Sequence, residues 1–473
     1  MEQSTTADRA ARLVFAGLLL CAIYYINFRF VLVHFAVGSE LLDSGWYAWI
    51  FSSGDPWLTA PRAVSNLSYF NYHLTPYLVP VTLLLHQLPV DRFVAFALHQ
   101  GAIFTIFAAA LYAIVLTSWM PKRSGLLLAT VAVYTLLDDG LLQITGFPHP
   151  ELAILGFSAV GIALWQNKRH VLGALAFGVA CLVREDGGLY AAAFLFGLAL
   201  MPPLSRRTPT SLPALLGAGA VVLSLVMFAI KAKFFAGFSA FAFNYSGDNW
   251  HHLTGPFVLD RFLAFVRNPH VLTSVVPALI LGLIAWRYAL FVLFMAPVIV
   301  AQMLAARNEL GHFTAYYVIP FVAIWVGMVL VAADRSRNGT LTRKEPMIML
   351  LFAMAGSAIF MFAANPPARL PILITAVVLQ VPDLPKFAAD TASVAANVPN
   401  SCVSIGVAAL TPDSFEPSQV LGQASDITPC QTVFLFNNDW DYLVLRWRMS
   451  QFVEVPTGVR HIKRYDRPQA QRP

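Results

Sequence analysis

The chain has 473 residues, of which 58% are hydrophobic and only 12% charged. An average soluble domain is about 45–50% apolar and about 25% charged, so this chain has too little charge to cover itself with a solvated surface. Soluble enzymes, disordered proteins and disulfide-stapled secreted domains are excluded. A polytopic membrane protein remains, and the net charge of +6 reads as basic cytoplasmic loops rather than as a nucleic-acid footprint.

A bilayer crossing takes about 20 apolar residues. The first such run is Leu13 to Val37. It is longer than a signal-peptide core and lacks a convincing small-residue cleavage site, so it reads as an uncleaved anchor. Further runs lie at 92–118, 124–141, 151–166, 170–184, 187–203, 213–231, 271–285, 288–306, 313–332 and 347–364. Together they predict an all-α bundle of about 11 transmembrane helices. A cytoplasmic N-terminus puts Arg9/Arg12, Lys122/Arg123, Lys168/Arg169, Arg206/Arg207, Arg287 and Arg335/Arg337/Arg343/Lys344 all on one side. Tight basic clusters in short gaps are the orientation signal that counts. The opposite gaps hold Glu40, Asp43, Asp55, Asp138, Asp139, Glu151, Glu185, Asp186, Asp248 and Glu309, and the chain after Arg369 falls outside.

Two outer segments, 38–91 and 232–270, are too long to be turns. The first is rich in Trp46, Tyr47, Trp49, Trp57, Tyr69, Phe70 and Tyr72. It predicts short helices on the outer surface and a partly inserted helix near 76–88. The composition changes near Val381, dividing the chain into a transmembrane domain, 1–382, and a small soluble α/β extracytoplasmic domain, 383–473. Strand-like runs occur at Ser401–Val407, Thr432–Phe436, Tyr442–Trp447 and Phe452–Val455. Cys402 and Cys430 are either a disulfide in an oxidising compartment or two free buried thiols. Cys21 and Cys181 lie in apolar runs and read as small core residues.

An ionised side chain at mid-bilayer costs about 2.5–3.5 kcal/mol even on a lenient scale, so charges kept near the membrane face a cavity, pair, or do chemistry. Five groups qualify. Asp43, in Glu40-Leu41-Leu42-Asp43-Ser44-Gly45-Trp46, is a candidate general base; a solvated juxtamembrane acid that marks the translocated side is the alternative. His73 precedes Thr75-Pro76 at a helix start and is a phosphate or carboxylate partner, or an interfacial contact. His149-Pro150-Glu151 opens a run, with Glu151 suited to a helix N-terminus. Arg184-Glu185-Asp186-Gly187-Gly188 sets three charges between two apolar runs, with the Arg184 fork suited to a phosphate; a tight turn reaching water is the alternative. His312, in Arg307-Asn308-Glu309-Leu310-Gly311-His312, is a further substrate contact or part of a connecting loop. Asp138 and Asp139 are adjacent and point different ways on a helix, so at most one would face a shared cavity. His251-His252 read as contacts to water or headgroups. Metal-ligand spacings, phosphate-cradling Gly-Lys-Ser/Thr loops and Rossmann glycine patterns do not occur.

The order of these motifs resembles an uncharacterised family of predicted bacterial membrane proteins related to the GT-C glycosyltransferases. Asp43-Ser44-Gly45-Trp46-Tyr47 is similar to that family's Asp-Leu-Gly-x-Phe-Asp motif. His73-Leu74-Thr75-Pro76, His149-Pro150-Glu151, Arg184-Glu185-Asp186-Gly187-Gly188, and His312 with Tyr316, Tyr317 and Pro320 are similar to its later motifs. The resemblance covers roughly residues 10–330, and Ser401–Ser404 resembles the family's outer tail. The chain departs from the pattern at Ala48, where a second acid is expected; if both acids are needed, catalysis is in question.

The resemblance implies an integral membrane glycosyltransferase of the bacterial inner (cytoplasmic) membrane. It would move a hexosyl or pentosyl group from a polyprenyl-phosphate carrier to an envelope lipid, glycan or protein on the outer face. Asp43 would be catalytic. His73, His149, Glu151, Arg184, Glu185, Asp186 and His312 would bind phosphate and substrate. No metal, cofactor or nucleic acid is implied; the partners are the lipid-linked donor, membrane lipids and the acceptor. Two other classes stay open: a transporter or flippase of a lipid-linked or small polar substrate, whose charges would sit on broken helices, and a non-catalytic scaffold.

Overall fold

The computed structural model describes residues 6–37, 41–61, 67–116, 121–138, 141, 144, 149–201, 211–235, 245–246, 250–313, 315–363, 381, 383–411, 414–415, 417–421, 427, 429–436, 449–459 and 462–468. Each of the eleven apolar runs coincides with helix. The bundle is built from α1 (Thr6–Val37), α4 (Arg92–Leu116), α5 (Pro121–Leu137), α6 (Leu152–Gln166), α7 (His170–Val183), α8 (Gly187–Ala199) and α9 (Ser211–Phe234). It continues through α10 (Gly255–Arg267), α11 (Val276–Ile284), α12 (Arg287–Met303), α13 (Ile319–Arg337) and α14 (Lys344–Ala363). In the outer segment, α2 (Leu41–Ser53) and α3 (Leu78–Leu85) form, the latter inside the stretch expected to hold a partly inserted helix.

The protein is a multi-pass membrane protein; helix length and composition by themselves single out fewer crossings than about 11. Among the described residues four helices are long and apolar enough to span: Leu13–Phe35, Arg92–Leu116, Ser211–Phe234 and Ile319–Arg337. A fifth crossing is available if Gly255–Arg267 and Val271–Ile284, bent by 58°, count as one broken span. Five further apolar helices are shorter. At a rise of about 1.5 Å per residue, 15-residue α6 covers about 22 Å, less than a hydrocarbon core of about 30 Å.

Helix α13 is the central post. Trp325 stacks on Tyr134 at 3.8 Å between ring centroids and donates its indole N–H to the Thr273 carbonyl at 3.2 Å. Near its lower end, buried Glu345 accepts from Arg335 Nε at 2.6 Å, from Tyr288 Oη at 2.9 Å and from Thr342 N at 2.6 Å. These contacts tie α12, α13 and α14 together.

The C-terminal part comprises α15 (Leu384–Ala396), α16 (Ile405–Leu410) and a five-stranded sheet. Its strands are β1 (Ser401–Ser404), β2 (Val420–Leu421), β3 (Thr432–Phe436), β4 (Val453–Val455) and β5 (Ile462–Asp466), in the order β2-β1-β3-β5-β4. Strand β1 is parallel to β2 and β3, whereas β5 is antiparallel to β3 and β4. The strand expected over Ser401–Val407 stops at Ser404, which caps α16 by accepting from Val407 N at 3.4 Å. The run Tyr442–Trp447 lies outside the described residues. Cys402 and Cys430 are joined by a disulfide with Cα atoms 5.7 Å apart.

This part does not stand off from the bundle. Phe51, Leu58, Phe93 and Phe96 share one continuous apolar core with Val403, Val407, Phe434 and Ile462. Arg92 Nη2 donates to the Leu410 carbonyl across the same seam.

Candidate active site

The site begins at the junction of α7 and α8. Helix α7 ends at Val183, and Arg184 takes an extended backbone (φ −158°, ψ 160°). Asp186 then starts α8. The two glycines that follow have a physical reason. A Cβ on Gly187 would stand 2.4 Å from the Ala180 carbonyl oxygen, and one on Gly188 would stand 2.2 Å from the Ala220 carbonyl oxygen. Only glycine lets α8 press against both α7 and α9. That approach brings Lys231, in the last turn of α9, over Glu185.

Arg184 is clamped. Its Nε and Nη2 donate to the two carboxylate oxygens of Asp186 at 2.6 and 2.5 Å, and Nη1 donates to Glu151 at 3.2 Å. Glu151 is nearly sealed, its side chain 3% exposed. On its other side it accepts from His149 Nδ1 at 2.9 Å. The Tyr47 hydroxyl lies 3.2 Å from the same nitrogen and is also hydrogen-bonded to the Tyr69 hydroxyl. The chain Asp186–Arg184–Glu151–His149–Tyr47–Tyr69 thus links α8, α6 and α2 by charge-assisted and neutral hydrogen bonds.

Glu185 anchors a second half. It accepts from His73 Nδ1 at 3.0 Å and from Leu74 N at 2.9 Å, and Lys231 Nζ stands 3.7 Å away. Burial pushes the Glu185 carboxyl up, but His73, Lys231 and Arg184 outweigh it and hold the group at about 2, against an ordinary 4.5. The side chain of His73 keeps 23% exposure. With Nδ1 fixed on Glu185, Nε2 is the nitrogen left for a ligand. Burial, followed by Asp186, raises the Tyr245 hydroxyl to about 12. His34 adds a further ring: its Nε2 lies 2.9 Å from Ser44 Oγ, and His149 is within its electrostatic range.

Three carboxylates (Glu151, Glu185, Asp186) face two fixed cations (Arg184, Lys231). The balance is −1 with neutral imidazoles and +1 with His73 and His149 both protonated.

The structure therefore brings His73, His149, Glu151, Arg184, Glu185 and Asp186 together. Asp43 lies on α2, one turn before Tyr47, so its backbone position shares the face that meets His149; its side chain lies outside the described residues. Ala48 is fully buried in the core beside Phe51 and Phe93. His312 lies against Arg261: its ring nitrogens stand 3.3 and 3.2 Å from Arg261 Nη1, and Arg261 Nη2 donates to Asn308 at 2.7 Å. The guanidinium of Arg261 is buried against Gly311 and the Phe257 ring. Asp138 is buried and accepts from Leu141 N at 3.1 Å, while Asp139, Glu40 and the segment 145–148 lie outside the described residues. His252 donates to the Leu304 carbonyl at 3.2 Å, and His251 is exposed. Tyr47, Lys231, Tyr245 and His34 are members that sequence reasoning missed. For Lys231 a signal existed: Lys231 and Lys233 end an apolar run.

No protein-family model matches the chain, and no curated protein matches it. In overall path it is similar to ArnT from Cupriavidus metallidurans bound to undecaprenyl phosphate. That likeness has 14% identity and a TM-score of 0.46, covering 97% of this chain and 98% of that one. It is also similar to the oligosaccharyltransferase of Archaeoglobus fulgidus in the apo form. There the identity is 11% and the TM-score 0.41, covering 89% of this chain and 69% of that one.

Proposed function

We propose that this protein is a membrane glycosyltransferase that takes a sugar from a polyprenyl-phosphate carrier and passes it to a hydroxyl of an envelope lipid, glycan or protein. The observation that carries this reading is the convergence of His73, His149, Glu151, Arg184, Glu185 and Asp186, with Lys231, at one end of the bundle. Charges converging at membrane depth mark a substrate site, and the motif resemblance assigns the chemistry. The proposal includes an eleven-helix topology with the N-terminus in the cytoplasm. The cluster then lies at the outer face of the inner membrane, with the 383–473 domain and its disulfide beyond it.

The reaction breaks the bond between the sugar C1 and the carrier phosphate oxygen and forms a bond from C1 to the acceptor oxygen. Two charges need handling. The departing lipid phosphate gains negative charge, and donors aimed at it lower the barrier. Lys231 supplies such a donor, with the part of the Arg184 fork that Asp186 and Glu151 leave open; His73 Nε2 donates only in the imidazolium form, because Nδ1–H is committed to Glu185. Arg184 also positions Glu151, and Glu151 fixes His149. Protonated imidazoles shift the site from −1 to +1, which suits an anionic lipid. The attacking hydroxyl loses a proton, and Asp43 on α2 takes it as general base. The proposed reading is metal-independent, with these side chains as the donors to the phosphate.

The test is purified protein with undecaprenyl-phosphate-linked pentose and hexose donors and a panel of glycan and lipid acceptors. Asp43→Asn should lower transfer about 10²–10⁴-fold, the usual contribution of a general base. Equal turnover of wild type and variant would remove Asp43 from the role. Proton-coupled uptake into vesicles without transfer would replace the enzyme by a transporter.

A further inference from the structure

A second charged cluster sits at the other end of the bundle and takes no part in the proposed chemistry. Helix α12 runs from Arg287 to Met303, whose continuation reaches Tyr245 through a hydrogen bond from Ala306 N at 3.2 Å. Helix α13 runs from Ile319, just after Tyr317, to Arg337. Tyr317 and Tyr245 border the Arg184–Asp186 cluster. The first residue of α12 and the last of α13 are therefore about 25 Å from it, the length of a 17-residue helix.

At that far end, Arg287, Arg335 and Arg337 meet two carboxylates, Asp334 and Glu345. Glu345 is saturated by Arg335, Tyr288 and Thr342. Asp334 alone faces both other guanidinium groups. Arg287 Nη1 is 3.9 Å from it, longer than a hydrogen bond, and Arg337 is its strongest cationic neighbour. Arg287 Nε and both Nη atoms of Arg337 are buried and find no hydrogen-bond partner among the described residues. Buried donors on a charged group are costly unless paired. Three such nitrogens around a pair with one net positive charge fit a tetrahedral anion with several acceptor oxygens. Trp286, 58% exposed, stands beside Arg287, its ring 5.9 Å from the guanidinium carbon. An exposed Trp next to a cation is the pairing found at the headgroup level of a bilayer.

We propose that Arg287 and Arg337, held apart by Asp334, bind a phosphate group at this end of the bundle, and that its source is the headgroup of an anionic phospholipid. Basic pockets between membrane helices recognise such headgroups. Asp334 orients the two guanidinium groups. The lipid then bridges α12 to α13 from the side opposite the substrate cluster.

The experiment follows thermal unfolding of the full-length protein in dodecylmaltoside with added phosphatidylglycerol, phosphatidylcholine or inorganic phosphate. Native mass spectrometry counts retained lipids in parallel. Phosphatidylglycerol should raise Tm above phosphatidylcholine and leave at least one retained adduct. Arg287→Gln/Arg337→Gln should lose both effects and weaken apparent lipid affinity more than tenfold. Arg337→Lys, which keeps the charge but not the fork, should lose part, and Arg343→Gln should lose neither. Should the double variant fail to fold, Arg337→Lys and the adduct count still decide. Equal Tm shifts with inorganic phosphate would keep the anion site and overturn its assignment to lipid. The absence of any preference in wild type, or a preference surviving in the double variant, would overturn the site.

Discussion

Replacing Arg184 by Ala is the sharpest probe of the substrate cluster. The side chain is 11% exposed and engages Asp186 through two nitrogens and Glu151 through a third. Asp186 is more open, at 22% exposure, and water takes over its solvation. Glu151 is not open, so its charge would be left with His149 as its partner. Breaking a buried pair by removing one partner costs about 3–5 kcal/mol. Because His149 stays, the lower end, about 3 kcal/mol, is expected. Arg184→Lys retains the charge but cannot reach both acids with a planar fork, and should cost about half as much. The assay is reversible unfolding in mixed micelles at neutral pH, with helix content as readout. A loss below about 1 kcal/mol for Arg184→Ala would mean the cluster is solvated like a surface pair, and the sealed geometry around Glu151 would be refuted.

Other outcomes follow from the same geometry. Gly188→Leu should push α8 away from α9, since even a Cβ meets the Ala220 carbonyl oxygen at 2.2 Å; a distance measurement between spin labels on the two helices should lengthen, and an unchanged distance would refute the pinch. The Glu185 carboxyl, held at about 2 instead of 4.5, contributes stability that is fully present above about pH 4.5 and is lost as pH falls toward 2. Glu185→Gln should flatten the acid limb of a Tm–pH curve across that window. Cys402→Ser opens a disulfide of sequence separation 28, and the chain-entropy model gives a loss of about 3–4 kcal/mol; an equal Tm with and without reductant in the wild type would contradict it.

The helices were the most legible part of the sequence, because runs of about 20 apolar residues have few other fates. Their role as crossings was less legible: hydropathy finds apolar helix, but not whether a 13-residue piece such as α8 spans or is packed within the bundle. Site members that are charged between apolar runs, such as Arg184 and Glu151, announced themselves by their cost. Tyr47 did not, since an aromatic near a membrane surface has an ordinary explanation. Lys231 looked like the end of a span. The contact of His312 with Arg261, 51 residues earlier, had no sequence signal, because a motif in sequence order carries no direction. In the C-terminal part, β-propensity carried the strand past Ser404, and the cap formed by that hydroxyl prevailed.

The shared core between α2 and the C-terminal sheet has a consequence for biosynthesis. The helix that bears Asp43 leaves the ribosome early, yet it shares one core with Val407 and Phe434, which arrive near the end of translation. The Arg92–Leu410 bond spans 318 positions of chain. Until that last portion has emerged and folded, the core around Tyr47 is unfinished. A nascent or truncated protein would hold the candidate site residues and still lack part of the packing behind them, so the terminal portion acts as a keystone set last.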